Sequence, residues 1–303
     1  MKIHFSNVTL CLLLVVALSA NGQDYAFKVL VNKGNNEVKT GNTWQPLKTG
    51  ATLKKEDEVK LVDNAYLGLI HASGKPLELK QAGKYKVVDL AGKVGAGASV
   101  LNKYTDFILS SNTDKKNRLA ATGAVHRGVQ MTTVYLPKSE LAVVYGNKVT
   151  MNWHRPSQDA TTPYLINLKS IFGDDLYIGE TMDTTFTLDL SDAKYVNEDN
   201  IIVEVYPKGS PDKKPNPAYI VKKLSKADKD RVKIQLNEIA SLTGEENALN
   251  KRILAGFFEQ NKLLIDAGTA YLEAIKLAPE VDEYKEAYNN FLLRNGLKEE
   301  KKK

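Results

Sequence analysis

Ser210-Pro211-Asp212-Lys213-Lys214-Pro215-Asn216-Pro217 places three prolines in eight residues of a 303-residue chain. Proline lacks an amide hydrogen and fixes φ, so this run suits neither a helix interior nor a central strand. It predicts a linker over 209–224. The hydrophobic spacing differs on its two sides. Before it, apolar residues alternate with period two; after it, they recur at helical spacing. The expectation is a multidomain chain, β-rich up to Lys208 and all-α from Ser225 to the C-terminus.

On the helical side, Ser225 can cap a helix reaching about Leu242, with Val232, Leu236, Ile239 and Leu242 on one face and Thr243-Gly244 as its stop. Three more helices are expected over about 245–260, 262–277 and 280–295, with Pro279 in the permitted first turn of the last. The lysine-rich tail from Lys298 to Lys303 is expected to be solvated.

On the β side, residues 134–208 offer six candidate strands: Leu141–Tyr145, Lys148–Trp153, Pro163–Ser170, Leu176–Glu180, Thr184–Leu190 and Ile201–Pro207. Their alternation and turn spacing suit a β-sandwich. Residues 23–133 offer a second β unit with strands at Phe27–Val31, Glu58–Val62, Ala65–His71, Leu77–Leu79 and Tyr85–Asp89, separated by turn-rich clusters such as Asn32-Lys33-Gly34-Asn35-Asn36. Residues 98–109 have near-helical spacing and form a helical extension of this unit. An exposed loop is expected over 110–119.

The first 22 residues read as a secretory signal: a weakly basic start at Lys2 and His4, an apolar run from Val8 to Leu18, and Ala20-Asn21-Gly22 as a cleavage site. That run is about half of the roughly 20 residues needed to cross a bilayer, and no later segment approaches that length. The protein is therefore expected to be exported and not membrane-spanning. The single cysteine, Cys11, lies inside the signal, so the mature chain would carry no disulfide, thiolate metal site or cysteine nucleophile.

Hydrophobic residues make up 43% and charged residues 26%, an ordinary foldable composition, and the net charge is +6. Charge alternates along the chain. Residues 23–133 hold 17 Lys+Arg against 10 Asp+Glu, residues 134–208 hold 6 against 11, and residues 209–303 hold 18 against 15. The basic first segment would suit an acidic partner. Export argues against nucleic acid, and the lysines are scattered rather than striped along one element. Peptidoglycan or another anionic glycan is the more sensible partner.

Three resemblances follow from these residues. Thr43-Trp44-Gln45-Pro46-Leu47-Lys48-Thr49-Gly50-Ala51-Thr52-Leu53, Asp57-Glu58-Val59, Ala65-Tyr66-Leu67-Gly68-Leu69 and Gly83-Lys84-Tyr85 together resemble the FecR-like β domain of bacterial envelope proteins, with Glu56-Asp57 where that family often has Gly-Asp. Val149-Thr150-Met151-Asn152-Trp153 followed by Tyr164-Leu165-Ile166-Asn167-Leu168 resembles a fibronectin type III or related immunoglobulin-like module. Leu254, Ala255, Phe258, Ala267, Tyr271, Ala274 and Pro279 fall at tetratricopeptide spacing, although Lys251 stands at the first consensus tryptophan and Asn289 at a small position of the next repeat. One such hairpin is too few for a solenoid, so the flanking helices are expected to cap it into a compact bundle.

No catalytic signature accompanies these elements. His71, His126 and His154 are isolated from other metal-ligating residues, and Asp174, Asp175, Glu180, Asp183 and Asp189 lack calcium-loop spacing. Gly92 to Gly97 lacks the Gly-Lys-Ser/Thr of a phosphate loop and reads as a linker. No cofactor is expected. Jointly the resemblances imply a non-catalytic periplasmic adaptor or scaffold for envelope proteins, with the outer membrane as an alternative place of attachment. Its docking face would be lined by Asn247, Asn250, Lys251, Leu254 and Gln260. The rival expectation is a peptidoglycan- or polysaccharide-binding module read by the basic first domain.

Overall fold

The computed structural model describes residues 25–94, 102–113, 131–138, 142–156, 161–240 and 246–298. The expected signal peptide, His126 and the Gly95–Gly97 segment lie outside them.

The first β unit has eight strands: β1 (Phe27–Lys33), β2 (Glu37–Thr40), β3 (Thr43–Pro46), β4 (Thr52–Leu53), β5 (Glu58–Leu61), β6 (Tyr66–His71), β7 (Pro76–Leu79) and β8 (Gly83–Lys86). They form two antiparallel sheets, ordered β4-β1-β6-β7 and β3-β2-β5-β8. Phe27, Val29, Leu53, Val59, Leu61, Leu67 and Leu69 fill the space between them. Helix α1 (Val87–Val94) closes one end of that core with Val87 and Leu90. The strand expected over Tyr85–Asp89 is therefore β8 followed by the start of a helix. Gly92 lies within that helix rather than in a linker.

Two strands of this unit are buried on both faces. In β6, Leu67 and Leu69 join the sheet-to-sheet core, while Tyr66 and Ile70 join a second cluster beyond the sheet. A register shift between Val29 and Val31 in the β1–β6 pairing lets Phe27 and Val29 face one core and Leu30 and Val31 the other. Such bulges rotate side chains across a sheet. Helix α2 (Asn102–Thr113) lies against that far face through Tyr104 and Ile108, and Lys28 Nζ pairs with Asp106 at 2.8 Å. It runs through Thr113, so Ser110 to Thr113, expected in a loop, are helical, and residues 114–119 of that expected loop lie outside the described residues.

The second unit contains β9 (Val143–Val144), β10 (Lys148–Asn152), β11 (Tyr164–Lys169), β12 (Asp175–Thr181), β13 (Thr185–Asp189), β14 (Asn200–Pro207) and β15 (Tyr219–Lys223). A five-stranded sheet, β12-β11-β14-β15-β9, faces the β10-β13 pair. Their shared core holds Trp153, Tyr164, Ile166, Leu168, Val203 and Val205. Strict alternation in β14 gives one fully buried row and one half-buried row.

The segment 209–224 is not a linker. Its prolines occupy a single 3₁₀ turn at Pro211–Lys213 and the bend after it, and the chain then returns as β15, antiparallel to β14. Prolines barred strand from 211–217, but Ala218 to Lys223 carries its own alternating pattern, with Tyr219 and Val221 buried.

Four helices follow: α3 (Lys226–Ala240), α4 (Ala248–Gln260), α5 (Leu264–Leu277) and α6 (Asp282–Arg294). Pro279 precedes α6, whose N-cap is Val281. The helices hold a small core of their own around Ala267, Tyr271, Ala287 and Phe291. They are not a self-contained terminal bundle, however. Leu249, Ile253 and Phe257 of α4 share a core with Leu30, Val31, Tyr66 and Ile70 of the first unit, and Ile265 of α5 belongs to the core of the second. The helical region is a wedge seated on both β units.

Candidate functional site

The seam along α4 and α5 gathers five buried polar or charged residues, Asn250, Arg252, Glu259, Asp266 and Thr269, and it includes every residue expected to dock a partner. Apolar burial sets the position of α4. Leu249, Ile253 and Phe257 are fully buried, each stabilising the seam by about 1.5–3 kcal/mol. Close approach to β6 depends on Gly68, where a Cβ would meet Leu249 Cδ1 at 3.0 Å and Val31 Cβ at 3.3 Å. Gly256 does the same for α2, since a Cβ there would lie 3.0 Å from Ile108.

The N-terminus of α4 is capped twice. Asn247 accepts from the Asn250 amide at 2.9 Å, and Glu78 Oε1 from strand β7 accepts from the Leu249 amide at 2.8 Å. A carboxylate there also meets the positive end of the helix dipole. Glu78 Oε1 further accepts the Tyr66 hydroxyl at 2.6 Å, and the Tyr66 and Tyr284 hydroxyls lie 2.7 Å apart. Burial, before either partner, raises both tyrosines well above the ordinary phenol range, so both stay protonated as donors.

Helix α5 grips the second unit through its first turns. Asp266 accepts the amides of Tyr145 and Gly146 at 2.8 and 2.7 Å, and Thr269 Oγ1 accepts the amide of Thr150 at 2.9 Å. Burial pushes the Asp266 carboxyl up to about 6, against the pull of those two amides. From α6, the Tyr288 hydroxyl donates to Asn152 of β10. At the far end of α4, Glu259 accepts from Arg294 Nε and Nη2 at 2.5 and 2.6 Å, from Asn295 at 2.7 Å and from the Tyr271 hydroxyl at 2.9 Å. Burial first, with Glu259 adding to it, raises Tyr271 to about 12.

Four of the five expected docking residues make contacts within the chain. Asn247 is a helix cap and Asn250 is buried. Lys251 is held between Glu246 and Glu273 at 2.6 and 2.8 Å, and Leu254 packs against both helical clusters. Gln260 is half-buried at the α4 terminus, with its Oε1 sealed from solvent. They lie at the N-cap of α4 and along it, with Asn250 buried and the other four half-buried. Helical spacing marks residues that share a side; it does not say which side the rest of the chain covers.

Among the described residues no three His, Cys, Asp or Glu side chains gather to hold a metal ion. His71 contacts Ser73 at 2.7 Å in a turn; burial first, then Lys55 and Lys75, lowers its pKa. Asp174 accepts from Ser170, Glu180 pairs with Lys208, and Asp189 accepts from Ser191, which are turn and surface roles. No helix among the described residues is long and apolar enough to cross a membrane. No family model, curated protein or solved structure matches the chain.

Proposed function

We propose that the chain is an exported, non-catalytic scaffold of the bacterial cell envelope, working in the periplasm by holding two β units in a fixed relation for envelope partners. The observation that carries this reading is the helical wedge. Leu249, Ile253 and Phe257 bury against one β unit while Asp266, Thr269 and Tyr288 pin the other. A wedge that shares apolar core with both units resists relative motion, unlike the small polar contacts that ordinarily let domains move.

The finer fold assignments belong to the same reading. We take the first unit as FecR-like and the second as immunoglobulin- or fibronectin-like, supported by its two facing sheets and by Trp153 packed 5.5 Å from Tyr164. The α4–α5 hairpin is taken as tetratricopeptide-like, with Ala255, Ala267, Tyr271 and Ala274 buried at the small and aromatic positions. Because its inner face is filled, partners would meet the outer surfaces of the β units.

The test is in-cell photo-crosslinking of the full chain from two exposed positions, Val88 on the first unit and Phe172 on the second. The scaffold reading expects a different envelope component at each. Purification through one component should recover the other only when this chain is present. Recovery of both partners together from cells lacking the chain would remove the reading, as would silence at both positions.

A further inference from the structure

The outer face of sheet β3-β2-β5-β8 plays no part in the wedge. Val38, Val59 and Tyr85 turn inward to the core, so the alternate residues of these strands point outward. Cross-strand pairing sets them in two rows: Trp44, Lys39, Glu58 and Lys86 in one, and Pro46, Glu37, Lys60 and Lys84 in the other. Trp44, at the sheet edge, lies half-exposed across this face, with the Nζ atoms of Lys60 and Lys84 5.9 and 5.7 Å from its ring centroid.

Charge on the face is unbalanced. Lys60 is matched by Glu37 at 3.0 Å. No ion pair engages Lys39, Lys84 or Lys86 among the described residues, although Glu58 sits in the row of Lys39 and Lys86. A lysine offers three donors and no acceptor, so this surface provides one flat apolar ring with Lys60 and Lys84 beside it, and on the same face three lysines, Lys39, Lys84 and Lys86, outside any ion pair among the described residues.

We propose that this face binds an acidic polysaccharide, with Trp44 stacking on the C–H face of one sugar ring and Lys39, Lys84 and Lys86 meeting its carboxylates. Both halves of the chemistry point to that ligand. A neutral sugar would use the indole and leave the lysines idle, and a simple anion would do the reverse. Single-stranded nucleic acid also combines stacking with charge, but its readers stack successive bases on several aromatics along a groove. Here a single ring is flanked by the Nζ atoms of two lysines. The site goes beyond the scaffold reading and stands or falls separately from it.

The two tryptophans make the test direct, because Trp153 is only 3% exposed in the other unit while Trp44 lies on the surface. Polygalacturonate titrated into the intact protein should change Trp44 emission, with dextran and oligo(dT) as comparison polymers. Trp44→Phe should silence the optical signal while calorimetry still detects binding. Trp44→Ala should weaken binding by roughly ten-fold or more, losing the stacked ring. The pair Lys84→Glu with Lys86→Glu should weaken it similarly and flatten its salt dependence. All these side chains lie outside the core, so an unchanged thermal transition separates loss of binding from loss of fold. Absence of polygalacturonate binding, equal binding by the variants, equal binding of dextran, or tighter binding of oligo(dT) would each overturn the proposal.

Discussion

Asp266 offers the sharpest measure of how the wedge holds the second unit. Its carboxylate is 5% exposed and accepts two backbone amides from the β9–β10 turn. Burial raises its folded pKa from 3.8 to about 6, with Lys229 and the amides pulling the other way. A raised carboxyl pKa means that the folded protein prefers the protonated form. The associated stability is fully present below the unfolded value and is lost as pH rises through about 6. Two pKa units correspond to about 3 kcal/mol in total, of which about 2 kcal/mol is present at pH 4, about 1 kcal/mol at pH 5 and almost none at pH 8. Asp266→Asn removes the titration and turns an NH₂ group toward one of the two amides, leaving a donor unpaired at about 1–3 kcal/mol. Urea unfolding of both proteins from pH 4 to pH 8, followed by Trp153 fluorescence, measures the stability gap between them. Titrations distant from this site cancel in that difference. The gap should be widest in acid and shrink steadily toward pH 8. A gap that is constant with pH, or that widens toward alkali, would refute the assignment of a buried, proton-preferring carboxyl.

Three further outcomes follow from the seam. Phe257→Ala should destabilise by about 3–5 kcal/mol and lower one shared calorimetric transition by roughly 5–15 °C; two separate transitions with only one displaced would deny a common core. Arg294→Met should destabilise by about 3–5 kcal/mol because Glu259, whose side chain is 4% exposed, loses its countercharge, and adding Glu259→Met should recover much of that in urea midpoints. Gly68→Ala should destabilise by about 1–3 kcal/mol, read as a lower urea midpoint, since its Cβ would push on Leu249 and Val31, whereas Gly92→Ala on α1, with open space around it, should leave the midpoint unchanged or higher.

Local pattern reaches some of this architecture and not the rest. The alternation in Asn200–Pro207 and the apolar stripe of α4 follow from the periods of strand and helix, and both elements lie where those periods put them. Strand β15 escapes because Pro215 and Pro217 stand immediately before it and read as a break, while the residues that make it a strand number only five. The continuous burial of Tyr66 to Ile70 was visible as an apolar run, but a run does not say that its second face meets a helix some 180 residues later. The cap supplied by Glu78 to Leu249 joins residues 171 positions apart, beyond any local capping signature. The five expected docking residues show a shorter-range limit. Their spacing placed them at the start of a helix and along it, and it could not say that Asn250 would be buried or that Lys251 would lie between Glu246 and Glu273. Trp44 was legible only as part of a strand motif; its meaning comes from Lys60 and Lys84, which pairing across three strands brings to its ring.

The order of these contacts has a consequence for how the chain can be divided. The boundary at Lys208 would leave β14 without β15, exposing a row of unpaired backbone groups at a new sheet edge. A boundary after Leu224 keeps the sheet whole but uncovers Leu30, Val31, Tyr66 and Ile70 on the first unit and the Tyr145 and Gly146 amides on the second. Both β units therefore depend on the helices for part of their own core, α4 depends on Glu78 of the first unit for its N-terminal cap, and the Tyr145, Gly146 and Thr150 amides of the second unit depend on Asp266 and Thr269 of α5. A partner that binds either β surface meets a platform whose orientation is set by the other. That mutual dependence, rather than any one helix face, is the feature on which the proposed scaffold role rests.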